Sequence, residues 1–143
     1  PEYDEIADYL FNTKGKGLFL VGSVGRGKSV IAEKVIPVLF KAVQNRLVSV
    51  YHALELGNCI DEARRKKFLV IDDVGTESIH NNYGSKSESF ADLIAFAERN
   101  SALVYITTNL TSEQLIARYG ERIISRIQKL CRIVKFEGKS LRR

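Results

Sequence analysis

Residues 22–29 read Gly22-Ser23-Val24-Gly25-Arg26-Gly27-Lys28-Ser29, directly after a wholly apolar run, Leu18-Phe19-Leu20-Val21. An uninterrupted apolar run ended by glycine reads as a buried strand. Beyond the loop, residues 28–43 carry Val30, Ile31, Val35, Val38, Leu39 and Val43 at helical spacing, so a helix follows. The loop fits G-x-x-x-x-G-K-[ST] without a mismatch, and strand–loop–helix is the context that pattern requires. Glycines admit positive φ, so successive backbone N–H groups can turn toward one centre. The helix beginning near Lys28 adds unpaired N–H groups and the positive end of its dipole. Lys28 brings a full charge to the β- and γ-phosphates of a nucleotide, and the Ser29 hydroxyl is placed to ligate Mg2+. The phosphate cradle therefore comprises Gly22, Ser23, Val24, Gly25, Arg26, Gly27, Lys28, Ser29 and Val30. A glycine-rich turn that merely joins two elements is the alternative.

Working outward, residues 47–51, 68–71, 102–106 and 133–136 are further short apolar runs, read as strands. Residues 4–11, 54–65, 87–100 and 121–130 read as helices, and Pro37 predicts a kink in the helix that starts at Lys28. Thr111, with Gln114 three residues on, predicts a capped helix start running through Ala117. Residues 76–87 are polar and rich in Asn, Gly and Ser, which predicts an exposed loop. Strands apolar on both faces and alternating with helices imply an α/β fold: three layers, α/β/α, around a central parallel sheet of about five strands.

Three more groups of residues carry chemistry. Phe68-Leu69-Val70-Ile71 ends in Asp72-Asp73, at the strand end where open α/β sheets bind ligands. Asp72 is placed to hold Mg2+, which prefers oxygen ligands and keeps several waters. Asp73 is placed to orient or deprotonate an attacking water. Adjacent carboxylates repel, so the pair calls for a cation or a raised pKa; an Asx turn after the strand is the plain alternative. Thr107-Thr108-Asn109 ends the fourth strand, where Asn109 could position water beside a γ-phosphate or simply turn the chain. Arg118, Arg122, Arg126 and Lys129 recur at intervals that share one face of a continuous helix. Such a stripe is mildly self-repulsive, by a few tenths of a kcal/mol, and suits an anion, although a solvated face also accounts for it.

The formal net charge is +5, and it is unevenly placed. From Arg118 onward nine Lys/Arg meet two acids, while the rest of the chain is slightly acidic. The basic segment invites phosphate or nucleic acid. No apolar stretch approaches the roughly 20 residues needed to cross a bilayer, and the acidic start, Pro-Glu-Tyr-Asp-Glu, is unlike a signal peptide. Cys59 and Cys131 are far apart and in no metal-like spacing, which fits a reducing, cytoplasmic setting without membrane association. Methionine is absent even at position 1, so the 143 residues read as part of a longer protein.

Phosphate loop, paired acids, Thr-Thr-Asn and a late arginine helix, in that order, resemble an AAA+ ATPase. Within that class the chain is similar to bacterial helicase loaders of the DnaC/DnaI type and to the related transposition ATPase IstB. The resemblance is carried by Gly15-Lys16-Gly17-Leu18-Phe19-Leu20, Asp72-Asp73-Val74-Gly75-Thr76-Glu77 and Ile106-Thr107-Thr108-Asn109-Leu110. It continues through Tyr119-Gly120-Glu121-Arg122-Ile123-Ile124-Ser125-Arg126-Ile127 and Phe136-Glu137-Gly138-Lys139-Ser140-Leu141-Arg142. It implies that residues 22–29 are Walker A, that Asp72 and Asp73 are Walker B (with Asp73 where many members carry glutamate), and that Asn109 is sensor 1. It implies further that Arg126 is an arginine finger acting on an adjacent subunit and that Arg142 is the sensor 2 arginine. ATP and Mg2+, nucleotide-dependent self-assembly, single-stranded DNA and a replicative helicase are the implied ligands and partners. Contact with the helicase is expected through an N-terminal domain absent from residues 1–143, which then form the ATPase core. The segment between Tyr51 and Phe68 is short for a DNA-contacting region. Arg64-Arg65-Lys66-Lys67 within it reads either as a DNA contact or as a solvated lead-in to the third strand. Two further readings compete: a small-molecule kinase, for which residues 76–87 lack a lid arginine, and a nucleotide-gated interaction module with little turnover.

Overall fold

Each apolar run becomes a strand, and the polar residue types after it mark where the strand emerges. The computed structural model describes residues 4–5, 8–9, 15–22, 28–44, 47–75 and 86–136, without the side chains of Ser29, residues 43–44 and residues 86–88. Its strands are β1 (Gly17–Gly22), β2 (Ser49–His52), β3 (Phe68–Val74), β4 (Leu103–Thr108) and β5 (Cys131–Phe136). They pair in parallel in the order β2-β3-β4-β1-β5. The chain leaves β1 for the far edge at β2 but leaves β4 for β5 on the other side of β1. The crevice above β1 and β4 is thus a topological switch point, where open α/β sheets bind ligands.

Between the strands lie α1, a helical segment starting at Lys28–Val30 and ending at Ile36–Gln44, then α2 (Leu56–Ala63), α3 (Lys86–Asn100), α4 (Ser112–Tyr119) and α5 (Glu121–Leu130). Alternation along the strands divides the core in two. Leu18, Leu20, Val70, Tyr105, Val134 and Phe136 pack against Ile31, Ala32, Ile36 and Phe40 of α1. Phe19, Leu69, Ile71, Val104 and Ile106 face the opposite layer, with Leu56, Phe90, Leu93, Ile94, Leu115, Ile123 and Ile127 from α2 to α5. Strands buried on both faces explain why the runs are continuously apolar. Tyr9 joins the α1 layer, where its hydroxyl donates to the Lys16 carbonyl and lies 2.9 Å from the Tyr105 hydroxyl. A Cβ at Gly17 would lie 1.8 Å from the Val104 carbonyl oxygen, so only glycine lets β1 start this close to β4.

Near Pro37, where a kink is expected, the helix departs from regular α geometry. Pro37 cannot donate to the carbonyl four residues back, and α1 passes through a π-helical turn at Ile31–Val35, with the Ile36 N–H donating to the Ile31 carbonyl. The expected capping box is present: Thr111 Oγ1 accepts from the Gln114 N–H, and Gln114 Oε1 accepts from the Thr111 N–H. Several boundaries differ, two of them at polar strand ends. β2 starts at Ser49 and runs on to His52, and β4 runs past Ile106 through Thr107 and Thr108. Both extensions carry polar side chains, and parallel pairing continues through them, His52 with Asp72 of β3, and Thr107 and Thr108 with Leu20 and Val21 of β1. The cationic stripe is divided, because Gly120, at φ 91°, separates α4 from α5. Arg118 therefore does not share a helix with Arg122, Arg126 and Lys129.

Candidate functional site

The site is built where β3 leaves the sheet. Asp72, 4% exposed, still belongs to the ladder, opposite His52 of β2. The β3–β4 register then shifts between Ile71 and Val74, and Asp73 takes φ 63°, in the left-handed region. That conformation costs a non-glycine residue about 1–2 kcal/mol, although aspartate tolerates it better than most residues. The tip of β4 holds it. Thr107 Oγ1 accepts from the Asp73 N–H at 2.7 Å and donates to Asp72 Oδ1 at 2.6 Å. Thr108 Oγ1 donates to the Val74 carbonyl at 2.7 Å and accepts from the Leu110 N–H at 3.1 Å. Beyond them Gly75 turns at φ 102°, and its carbonyl accepts from Arg118 Nη1 at 3.1 Å. Arg118 is thus directed inward, onto the loop that follows the acids.

Asp73 also faces two neighbours through its side chain. Asn109 Nδ2 lies 3.4 Å from Asp73 Oδ1, and His52 Nε2 lies 3.5 Å from Asp73 Oδ2. His52 Nδ1 accepts from the Leu54 N–H at 3.2 Å. In the neutral ring this places the proton on Nε2, directed at Asp73. Glu33, on α1, adjoins Asp72. Its carboxyl is pushed above the ordinary range, first by burial, then by the charge of Asp72 and the hydrogen bond to it. Lys28, at the start of α1, is 5% exposed. Three carboxylates and a neutral amide therefore gather at the carboxyl edge.

This donor set fits a hard divalent cation. His52, Asp72 and Asp73 place ligand-type atoms within 4.8 Å of one another. The acceptor role of His52 Nδ1 keeps Nε2 protonated, so His52 is a donor to Asp73 rather than a metal ligand. What remains is oxygen, the chemistry Mg2+ selects. Carboxylates crowded in this way are the arrangement a cation would relieve.

Of the residues singled out in the sequence, Asp72, Asp73 and Asn109 come together as expected. Gly22 ends β1, Lys28 is buried and Val30 is exposed. Residues 23–27, the Ser29 side chain, most of the polar loop at 76–87 and Arg142 lie outside the described residues. Arg126 does not join Asp72 and Asp73. α5 leads back to the start of β5, and Arg126 Nε faces Glu98 Oε1 of α3 at 3.9 Å. Sequence reading missed His52, Glu33 and the bridging role of Thr107. His52 could have been found by the rule that marked Asp72, a polar residue closing an apolar strand. Glu33 carried no signal, being a lone acid on a largely apolar helix.

Comparison with known proteins agrees with this fold. The family model described as novel STAND NTPase 3 matches residues 1–137. No curated protein sequence matches the chain. Among solved structures, the DnaC helicase loader superposes with a TM-score of 0.76 at 23% identity, covering 93% of this chain and 86% of that one. DnaI gives 0.71 at 22% identity, covering 89% and 73%. The replication initiator DnaA bound to AMPPCP and single-stranded DNA gives 0.72 at 16% identity, covering 96% of this chain and 46% of that one. The fold is therefore that of the DnaC, DnaI and DnaA structures, and this chain spans under half of the DnaA structure.

Proposed function

The chain belongs to the novel STAND NTPase 3 family, and on that premise we propose that it binds ATP with Mg2+ and hydrolyses it as part of a DNA-replication helicase loader. The observation that carries this reading is the convergence of Asp72, Asp73 and Asn109 at the carboxyl edge, with Lys28 at the start of the helix that follows the glycine-rich loop. Mg2+, when bound, would neutralise charge on the β- and γ-phosphates. Residues 22–30 would cradle the phosphates through backbone N–H groups, with Ser29 and Asp72 holding the cation. Lys28 would supply charge at the γ-phosphate. Asp73 accepts the proton of a water that attacks the γ-phosphorus; the bond to the β,γ-bridging oxygen breaks, and ADP and phosphate leave. Asn109 and His52 hold the Asp73 carboxylate toward that water. Arg126, which faces Glu98 and not Asp72 or Asp73, would serve the site of a neighbouring subunit, and Arg142 would read the nucleotide.

Assembly into a nucleotide-dependent oligomer follows from that division of roles. Contact with single-stranded DNA, and with a replicative helicase through a further domain, is supported by the folds of the DnaC loader and of DnaA bound to single-stranded DNA. The same fold would serve transposition in the manner of IstB. The test is ATP hydrolysis with Mg2+, with and without single-stranded DNA and a replicative helicase. Asp73→Asn is expected to lower turnover by at least about 10²-fold while a fluorescent ATP analogue still binds. Full turnover in that variant would overturn the reading, and nucleotide binding without hydrolysis in the parent would make the chain a nucleotide-gated module.

A further inference from the structure

We propose that the Thr107 hydroxyl is the positioning group of the acid pair, fixing both the aim of the Asp72 carboxylate toward the cation and the exit of Asp73 from β3. The proposal rests on the nucleotide reading above. A threonine hydroxyl has one proton and two lone pairs, and here the proton and one lone pair have assigned partners across the gap between two strands. The proton goes to Asp72 Oδ1 at 2.6 Å, the short distance of a bond to a charged oxygen. A lone pair takes the Asp73 N–H at 2.7 Å. The register shift between Ile71 and Val74 removes the ladder carbonyl that would otherwise receive that N–H, and the hydroxyl stands in its place. Thr107 is 1% exposed, so bulk water is not at hand to substitute, and branching at Cβ stiffens χ1. With Oδ1 pinned, the rotation of the Asp72 carboxylate is set, and with it the direction of its second oxygen. With the Asp73 N–H pinned, the left-handed turn is set, and with it the approach of the side chain to Asn109 and His52.

The experiment compares Thr107→Val, which keeps the branched shape, with Thr107→Ser, which keeps the hydroxyl, in the full chain. One readout is binding of a fluorescent ATP analogue as Mg2+ is titrated, and the second is hydrolysis. Thr107→Val should raise the half-saturating Mg2+ concentration about tenfold and lower turnover by about 10–100-fold, as loss of a group that orients a metal ligand does. Binding of the analogue without Mg2+ should stay unchanged, and Thr107→Ser should restore both values. A Thr107→Val protein with native Mg2+ dependence overturns the proposal, and so does a Thr107→Ser protein as impaired as Thr107→Val, because volume rather than the hydroxyl would then matter. Should Thr107→Val fail to fold, Thr107→Ala is read by the same two criteria. Parent protein whose nucleotide binding ignores Mg2+ overturns the nucleotide reading itself, whereas normal parent behaviour matched by Thr107→Val overturns only the role of Thr107.

Discussion

At the amino edge of the sheet, Lys67 Nζ donates to the carbonyl of Asn100, the last residue of α3, at 2.6 Å, and Asn100 Nδ2 reaches the Arg64 carbonyl at 3.4 Å. The guanidinium groups of Arg64 and Arg99 lie over the Phe96 ring at 5.3 and 4.8 Å, and Arg64 also pairs with Asp61 at 3.6 Å. At the carboxyl edge of the same strands, Asp72, Asp73 and Glu33 are turned toward one another, and their backbone is bent to keep them there. Both edges concentrate charge of one sign. At the amino edge Lys67 is met by a helix C-terminal carbonyl, whose dipole favours a cation, and Arg64 and Arg99 by an aromatic face. At the carboxyl edge, hydrogen bonds from Thr107, Asn109 and His52 hold like charges close, an arrangement that a ligand completes. A run such as Arg64-Arg65-Lys66-Lys67 is therefore weaker evidence of a site than two acids fixed at a strained turn, and its first and last members serve here to close α2 and α3.

The sharpest way to break this contrast is Arg126→Ala. Arg126 lies part-way along α5, on the helix returning to the amino edge, and its contact with Glu98 is long and half exposed. If it serves a neighbouring subunit, its loss should lower turnover about 10³-fold under assembling conditions, with nucleotide binding kept. Unchanged turnover would leave the cations of α5 structural, like those around Phe96. A smaller effect is expected from Lys67→Ala. Removing an exposed cation from the end of α3 should lower stability by about 0.3–1 kcal/mol, seen as a midpoint shift in urea, with no effect on hydrolysis; a loss of hydrolysis would move the amino edge into the mechanism. Smallest is Glu33→Gln. The carboxyl of Glu33 is raised above its ordinary value of 4.5 in the fold, so the folded chain holds this proton more tightly than the unfolded one. That contribution is fully present below 4.5 and is lost as pH rises through the raised value. Without nucleotide, Tm should therefore fall across that window, and Glu33→Gln should flatten the fall by roughly 1–3 °C. An equal slope in both proteins would place Glu33 outside the acid cluster.

The sequence alone determined what depends on near neighbours in the chain. Continuous apolar runs specified the strands, the Gly22–Ser29 pattern specified the strand–loop–helix turn, Thr111 and Gln114 specified a helix start, and Asp72-Asp73 marked a strand end. All of these follow from periodicity, capping or local backbone freedom, which act within a few residues. Only the tertiary structure decided that His52 and Glu33 reach the acids, that Thr107 joins Asp72 to the Asp73 backbone, and that Arg118 turns inward while Arg126 turns away. Those contacts link residues some 20 to 45 positions apart. They depend on which strands become neighbours, on a register shift in β3 and on a glycine break between α4 and α5. Packing of the two apolar layers sets those features, and no local propensity encodes them.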